Sequence, residues 1–145
     1  MKVIIQRVSE ASVEIEGKIN GAIGLGFMIL VGFAGNDNRE KVDWICNKIA
    51  GLRIFSDEND KMNLSIQDVG GEILLISNFT LYGDARKGFR PSFSTAAAPE
   101  IAIPLYDYML EKLRSLGIKT VSGIFGAMMK VSLINDGPVT ITIEK

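Results

Sequence analysis

The sequence contains no histidine, and this absence removes the side chain that most often acts as a general base or a metal ligand. Every catalytic triad that depends on histidine is therefore excluded. The chemistry would have to come from hydroxyls, lysines, carboxylates, backbone groups or the substrate itself. The single cysteine, Cys46, can form neither an internal disulfide nor a cysteine-based zinc site. Because Cys46 lies in a helical pattern, we expect it to pack in the core, and we expect neither a metal nor a cofactor.

The chain also has little excess charge, since its net charge at pH 7 is −1. Proteins that coat nucleic acid through bulk electrostatics need many cations to neutralise phosphates, so any RNA contact here must use a local patch. The best candidate is the segment Arg86-Lys87-Gly88-Phe89-Arg90, in which three cations surround one aromatic ring. Without further context this segment is typical of a solvated loop.

Long hydrophobic runs are missing as well. The longest apolar stretch, Gly21 to Gly35, is shorter than the ~20 residues that a membrane-spanning helix needs. At the N-terminus, Gln6 and Arg7 interrupt the apolar run before a signal-peptide core can form. We therefore expect no membrane span and no export, and a cytoplasmic protein.

Alternating apolar residues predict a chain rich in strands. The predicted strands are Lys2–Val8, Ser12–Glu16, Ile19–Ile23, Phe27–Phe33, Glu72–Leu81, Thr120–Gly123, Met128–Ile134 and Val139–Ile143. Strands at both ends of the chain with helices between them favour an α+β fold, with an antiparallel or mixed sheet around two main helices. No linker, charge block or repeat divides the sequence, so we expect one domain over residues 1–145.

Apolar residues at three- and four-residue steps predict the two helices. The first runs through Val42 to Leu52, behind Asp37 as its N-cap. The second begins at Pro99 or Pro104 and ends at Leu116, with Gly117 at the C-terminal cap.

Three short motifs have an ordinary structural interpretation. The glycines at 21, 24 and 26 lead into a strand and have the wrong spacing for a dinucleotide loop, so they indicate turns. The segment Ser77–Leu81 brings hydroxyls and an amide to the end of a buried strand, where they could bind a carbonyl or position water. The segment Asn135–Thr140 is rich in turn-forming residues and predicts a hairpin loop. Its Gly137-Pro138 bond is one at which a cis peptide costs little.

Six segments of the chain are similar to segments of one protein family and occur in the same order as in that family. They are Val3–Val13, Leu52–Phe55, Ser77–Asp84, Lys87–Phe93, Phe125–Met129 and Asn135–Thr140. Along essentially its whole length the chain resembles the D-aminoacyl-tRNA deacylases, also called D-Tyr-tRNA deacylases. The resemblance implies a barrel-like sheet, a homodimer, and hydrolysis of the ester bond of D-aminoacyl-tRNA and mischarged glycyl-tRNA, with rejection of L-aminoacyl-tRNA.

The resemblance also implies a catalytic group. The family's Ser-Gln-Phe-Thr motif reads Ser77-Asn78-Phe79-Thr80 here, so its amide side chain is one methylene shorter. The backbone N–H groups of Phe79 and Thr80 do not depend on that side chain, and we expect both to bind the substrate carbonyl or its oxyanion.

In the family, each subunit's Gly-cis-Pro motif enters the other subunit's pocket, and here that motif is Gly137-Pro138. Arg7 is similar to the arginine that braces the motif, and Met129 to a residue that lines the pocket. The residues from Gly88 to Phe93 would hold the terminal adenosine of the tRNA, and we assign the tRNA contacts to Lys87, Phe89 and Arg90.

A pocket of this kind selects chirality by exclusion. Carbonyls of Gly137 and Pro138 would grip the α-amino group of the substrate, while the pocket wall would clash with an L side chain. A D side chain would point out of the pocket and would not be contacted by it, so several D-amino acids would be accepted. The attacking water would be assisted by Thr80 or by the 2′-OH of the terminal ribose. We favour the ribose, because an unassisted threonine hydroxyl is a poor nucleophile at neutral pH.

Three other hypotheses remain open from the sequence. A small-molecule esterase would use Thr80 and would turn over free amino-acid esters. A non-catalytic RNA-binding β module would use Arg86 to Phe93 and would bind uncharged tRNA without hydrolysis. In a purely structural dimer, Gly137-Pro138 would be only a turn.

Overall fold

A computed structural model describes all residues from 1 to 145, and eight strands, two α-helices and one 3-10 helix make up the chain. The strands are β1 (Lys2–Ile15), β2 (Lys18–Ile23), β3 (Gly26–Gly32), β4 (Phe55–Ser56), β5 (Met62–Leu64), β6 (Glu72–Ser77), β7 (Thr120–Ser122) and β8 (Lys130–Glu144). The helices are α1 (Arg39–Gly51), the 3-10 helix (Phe79–Tyr82) and α2 (Pro99–Ser115).

The main sheet is mixed and curls towards a barrel. Its strand order is β2-β1-β3-β6-β7. β8 pairs with β1 along the edge that β2 and β3 do not use. β1 is antiparallel to β2, β3 and β8, whereas β3 and β7 are parallel to β6. The two ends of the order approach each other, since the Asn20 side-chain amide of β2 donates to the carbonyl of Ser122 in β7 at 2.9 Å. The α+β class, the mixed barrel-like sheet and the two main helices are therefore confirmed.

The central strands are apolar on both faces because each face is covered. Phe27, Ile29 and Val31 of β3 pack in a cluster that the two helices cover. Met28 of β3 points the other way and packs with Leu74 in a second cluster inside the curled sheet. This two-sided burial explains why β3 and β6 are continuous hydrophobic runs without clean alternation.

The helix boundaries differ slightly from the predicted ones. The N-cap of α1 is Asn38, whose side-chain oxygen accepts the N–H of Lys41 at 3.0 Å. Asp37 was the wrong residue for this role, because its buried carboxylate instead accepts the N–H of Ala34 at 2.7 Å. α2 begins at Pro99 and retains Pro104 inside it, and Gly117 follows its end with a φ of +80°. No helix is both long and apolar enough to cross a membrane.

The predicted hairpin at Asn135–Thr140 is wrong, because β8 runs through it as one strand. β8 pairs antiparallel with β1. The two strands predicted at the start of the chain, Lys2–Val8 and Ser12–Glu16, are also one continuous strand, β1. Gln6 pairs with Thr140 and Val8 with Asn135, so four residues of β8 lie opposite Arg7 alone. The turn-forming residues are absorbed in a bulge of the strand.

The predicted strand Glu72–Leu81 was also too long. β6 ends at Ser77, and the chain turns into the 3-10 helix that starts at Phe79. Asn78 ends the strand because its side chain caps this helix.

Candidate active site

A cleft of about 510 Å³ opens where β6 ends. Its walls come from β3, the end of β6, the 3-10 helix, the start of α2 and the segment before β8. The lining residues are Leu30, Val31, Gly32, Phe33, Ile76, Ser77, Asn78, Phe79, Thr80, Ala97, Ala102, Phe125, Gly126, Ala127, Met128, Met129 and Val131. Most are apolar and none carries an ionisable side chain. The cleft therefore offers hydrogen-bonding groups in an apolar wall, and no acid or base of its own.

Gly32 allows the 3-10 helix to lie close against β3. A Cβ atom on Gly32 would be 3.0 Å from the carbonyl oxygen of Asn78, 3.2 Å from Cβ of Leu81 and 3.3 Å from Cδ2 of Tyr82. The N–H of Asn78 also donates to the carbonyl of Val31 at 2.7 Å. These contacts fix the turn at the cleft. The role of Gly32 could not be identified from the sequence, since it depends on a contact between distant segments.

The predicted catalytic residues Ser77, Asn78, Phe79 and Thr80 lie together in the lining of this cleft. The Asn78 side-chain oxygen accepts two hydrogen bonds from Thr80, one from its N–H at 3.2 Å and one from its hydroxyl at 2.5 Å. The N–H of Phe79 makes no hydrogen bond within the protein. Of the two N–H groups expected to bind the substrate carbonyl, that of Phe79 therefore has no partner within the protein, and that of Thr80 is engaged by the Asn78 side chain.

Met129 lines the same cleft and also packs against the inner apolar cluster. Its sulfur lies against Gly123, where a Cβ atom would overlap it. Gly123 is itself held by a hydrogen bond from its N–H to the carbonyl of Leu75 at 3.2 Å. Met129 is thus held at the wall of the cleft by the inner apolar cluster and by Gly123.

Gly137 and Pro138 are not part of their own chain's cleft. They are exposed in the bulge of β8, and the peptide bond between them is cis. Buried Arg7 braces this bulge, because its Nε donates to the carbonyl of Asp136 at 3.0 Å and its Nη1 to the carbonyl of Ile54 at 2.6 Å. A Cβ atom on Gly137 would be 2.9 Å from Nη2 of Arg7.

A second brace, which the sequence analysis did not assign, comes from Asn135. Its side-chain oxygen accepts the N–H of Val139 at 2.9 Å, and its amide nitrogen donates to the hydroxyl of Thr140 at 3.0 Å. Asparagine commonly bonds to nearby backbone in this way, so the residue type was the available signal. The bulge is held from both ends and projects into solvent.

The basic loop, Arg86 to Arg90, is next to the cleft, but none of its residues lines the cleft. Lys87, Phe89 and Arg90 are exposed, and the Phe89 side chain is fully open to solvent. The loop is linked to the site by an edge-to-face contact between Phe79 and Phe93, with ring centroids 5.2 Å apart.

Two ionisable groups outside the cleft are held neutral at physiological pH. Burial, together with the nearby carboxylates of Asp37 and Glu144, raises the pKa of Tyr82 to about 12. Burial likewise raises the pKa of the Cys46 thiol to about 12. Cys46 is fully buried, as predicted, and is unsuited to nucleophilic work.

Comparisons with known proteins agree over the whole chain. A family model described as D-Tyr-tRNA(Tyr) deacylase matches residues 4–144. The D-aminoacyl-tRNA deacylase of Koribacter versatilis is 54% identical over 144 residues, which cover 99% of this chain and 97% of that protein. The protein of the same name from Exiguobacterium sibiricum is 54% identical over 145 residues, 100% of both chains.

Two solved structures share the fold. One, described as c-Myc DNA Unwinding Element Binding Protein, has a TM-score of 0.93 at 40% identity and covers 100% of this chain and 99% of its own. The other, titled as a structural analysis of a probable eukaryotic D-amino acid tRNA deacylase, has a TM-score of 0.85 over 98% of this chain and 97% of its own. At 17% identity, this second likeness concerns the fold alone.

Proposed function

The chain belongs to the D-Tyr-tRNA(Tyr) deacylase family, and we propose that it hydrolyses the ester bond of D-aminoacyl-tRNA, and of mischarged glycyl-tRNA, while leaving L-aminoacyl-tRNA intact. The products are the free amino acid and tRNA. The observation that carries the proposal is the match over residues 4–144 together with an apolar cleft in which the N–H of Phe79 has no partner within the protein. We further propose that the enzyme acts in the cytoplasm, where aminoacyl-tRNA is used.

The free N–H of Phe79 is suited to stabilise the transition state. When water attacks the ester carbonyl, negative charge develops on the carbonyl oxygen. A backbone donor fixed at the start of a short helix needs no reorganisation to meet that charge, and an apolar wall strengthens the interaction. Removal of a single such donor typically lowers kcat by about 10²- to 10³-fold.

The proton chemistry is best supplied by the substrate. The hydroxyl hydrogen of Thr80 is held by the Asn78 amide oxygen, which is too weak a base to accept a proton, so Thr80 has no partner to activate it as a nucleophile. The vicinal 2′-OH of the terminal ribose is next to the scissile ester by its covalent structure. Water adds to the carbonyl carbon, the bond to O3′ breaks, and O3′ takes up a proton with the help of the 2′-OH.

Chiral selection requires a second subunit in this proposal. The bulge at Gly137-Pro138 is exposed, braced by Arg7, and outside its own cleft. In a homodimer it would enter the partner's cleft, and its carbonyls would bind the α-amino group of the substrate. An L side chain would then clash with the cleft wall, whereas glycine would not clash because it has no β-carbon.

The tRNA end would be held by the exposed loop. Phe89 presents a free ring for stacking on the terminal base, and Lys87 and Arg90 supply charges for nearby phosphates. Ser77 and Met129 would contribute to the wall beside the ester. The net charge of −1 does not favour the alternative of a protein that binds nucleic acid without hydrolysis.

The direct test is deacylation of matched D-Tyr-tRNA, L-Tyr-tRNA and Gly-tRNA, with and without a chelator. We expect loss of the D-ester and the glycine ester, an intact L-ester and no effect of the chelator. Equal loss of both chiral forms, or loss of neither, contradicts the proposal. Hydrolysis of free amino-acid esters at a comparable rate would instead favour a small-molecule esterase.

The donor role of Phe79 is tested by Phe79→Pro with Phe79→Ala as its control. Both variants lose the ring, but only proline lacks the N–H. Proline is compatible with the first position of the helix, and Asn78 before it is extended and not helical, with φ and ψ of −146° and 91°. We expect Phe79→Pro to be about 10²-fold slower than Phe79→Ala at saturating substrate. Equal rates for the two would remove the backbone donor from the mechanism.

A further inference from the structure

The basic loop beside the cleft is closed at its base by Asp84 and Ser92. These two residues exchange two backbone hydrogen bonds, of 2.8 and 2.9 Å. The residues just outside this pair lie against each other, since a Cβ atom on Gly83 would be 3.0 Å from Cε1 of Phe93. Phe93 in turn contacts the ring of Phe79 in the cleft lining. The base of the loop is therefore held at a defined position beside the cleft.

The three cations of the loop differ in what they contact. The guanidinium of Arg86 donates from Nε at 2.9 Å and from Nη2 at 2.7 Å to the two carboxylate oxygens of Asp84. The backbone N–H of Arg86 donates to the same carboxylate at 3.0 Å. Lys87 and Arg90 are exposed, and neither forms an ion pair within the chain.

The positive charge of Arg86 is thus offset within the loop. Hydrogen bonds from the Arg86 guanidinium and from its backbone N–H lower the pKa of Asp84, so the carboxylate is charged at neutral pH. Two parallel hydrogen bonds are the strongest geometry for an arginine and a carboxylate, although an exposed pair contributes little to stability. The two charges lie much closer together than the ~10 Å over which 0.1 M salt screens them. A phosphate beside the loop therefore meets a pair with no net charge, next to two uncompensated cations.

We propose that Asp84 determines how tightly tRNA is held, by neutralising Arg86 and leaving only Lys87 and Arg90 to contact phosphates. The inference rests on the proposed deacylase function, since it concerns the tRNA part of that substrate. Product tRNA and L-aminoacyl-tRNA carry the same phosphates as D-aminoacyl-tRNA, so a phosphate contact strengthens the binding of all three equally. A third contact would retain the product and the L-ester without aiding selection. Asp84 acts through Arg86 and touches no reacting atom.

The test uses Asp84→Asn, which removes the negative charge and keeps the shape of the side chain. Asparagine can still accept the backbone N–H of Arg86, so the turn at the start of the loop is kept, but its amino group cannot accept from the guanidinium. Asp60→Asn is the matched control, because Asp60 is exposed between β4 and β5 and forms no ion pair. The double variant Asp84→Asn/Arg86→Ala removes both charges, so the position again has no net charge.

Two quantities are measured for each variant. The first is the Kd of uncharged tRNA and the slope of log Kd against log salt concentration. The second is the Ki of uncharged tRNA and of L-Tyr-tRNA as inhibitors of D-Tyr-tRNA hydrolysis. One added phosphate contact changes the slope by about 0.7–0.9. We expect Asp84→Asn to steepen the slope by that amount and to lower Kd and both Ki values by about fivefold at 0.1 M salt, with Asp60→Asn and the double variant unchanged.

Two results would overturn the inference. One is a slope for Asp84→Asn equal to that for Asp60→Asn, since the released guanidinium would then contact no phosphate. The other is a double variant whose slope is shallower than that of the unmodified protein by about one, because Arg86 would then bind phosphate despite Asp84. Absence of D-Tyr-tRNA hydrolysis by the unmodified protein would refute the proposed function alone, because the slopes for uncharged tRNA still decide whether Asp84 neutralises Arg86.

Discussion

Substitution of Gly137 by alanine tests whether the bulge of β8 is a braced structure. Gly137 has a φ of +132°, which L-residues rarely adopt, and a Cβ atom there would be 2.8 Å from Cγ2 of Val139 and 2.9 Å from Nη2 of Arg7. Gly17 is the control: its φ is +78°, but a Cβ atom there meets nothing within 4 Å. Both glycines have a positive φ, but the φ values differ, and only at Gly137 does the added Cβ atom meet Val139 and Arg7.

The magnitudes follow from these contacts. The positive φ costs an alanine about 1–2 kcal/mol at Gly17 and about 1–3 kcal/mol at Gly137, whose φ lies further from the left-handed helical region. Displacement of Arg7 at Gly137 would also weaken its bonds to Asp136 and Ile54, and a hydrogen bond from a charged group contributes about 1.5–3 kcal/mol. We therefore expect Gly137→Ala to lower the free energy of unfolding by about 3–5 kcal/mol and Gly17→Ala by about 1–2 kcal/mol.

The assay is denaturant unfolding followed by fluorescence of the single tryptophan, Trp44, at one fixed protomer concentration. The difference between the two variants is the quantity that matters, because it contains the contacts that only the Gly137 variant makes. A difference below about 0.5 kcal/mol would mean that Arg7 does not brace Gly137, and the reasoning about the bulge would be refuted.

Three further predictions concern the cleft, the core and the loop. Because no ionisable side chain lines the cleft, kcat between about pH 5.5 and 8.5 should show no inflection other than that of the substrate's α-amino group; a second, enzyme-derived inflection would contradict this. Burial raises the pKa of Asp37, but hydrogen bonds from Ala34, the N-terminal ammonium and Lys41 outweigh it and hold the pKa below its ordinary value of 3.8. Its contribution is therefore present above that ordinary value and is lost as the pH falls through the lower folded-state value. Asp37→Asn should cost about 2–4 kcal/mol at pH 7 and flatten the acid end of the stability profile, whereas an unchanged profile would refute the assignment. Replacing Lys87 and Arg90 by alanine should raise KM for D-Tyr-tRNA and reduce the salt dependence of binding by about one to two units of slope, and an unchanged slope would exclude the loop from phosphate contact.

Much of the fold was predictable because local patterns determine it. The apolar periodicity of α1 and α2 and the long apolar run of β3 identified these elements from the sequence. The bulge of β8 was not predictable from the same kind of evidence. Its turn-forming residues also fit a hairpin, and only the pairing of β8 with the whole of β1 decides between the two.

The candidate site divides in a similar way. The polar residues Ser77 to Thr80 follow a buried strand, but only the family resemblance assigned them to catalysis. The structure brings them together with Met129 in one cleft. The orientation of the Asn78 amide was not predictable, because it depends on side-chain hydrogen bonds to Thr80 within a helix that the sequence pattern had read as strand. The separation of Gly137 from its own cleft follows from strand topology. The entry of Gly137 into a partner's cleft stays a prediction.

Subunit complementation tests that central claim most directly. Gly137→Ala alters the bulge and keeps the cleft, whereas Phe79→Pro alters the cleft and keeps the bulge. Each variant alone should have little activity on D-Tyr-tRNA. The two are unfolded together in equal amounts, refolded, and assayed at a temperature at which both are folded. If the bulge enters the partner's cleft, half of the dimers are mixed and one of their two sites is intact, so the mixture should recover about a quarter of the wild-type activity. If each site forms within a single chain, the mixture stays as inactive as its components, and the account is contradicted.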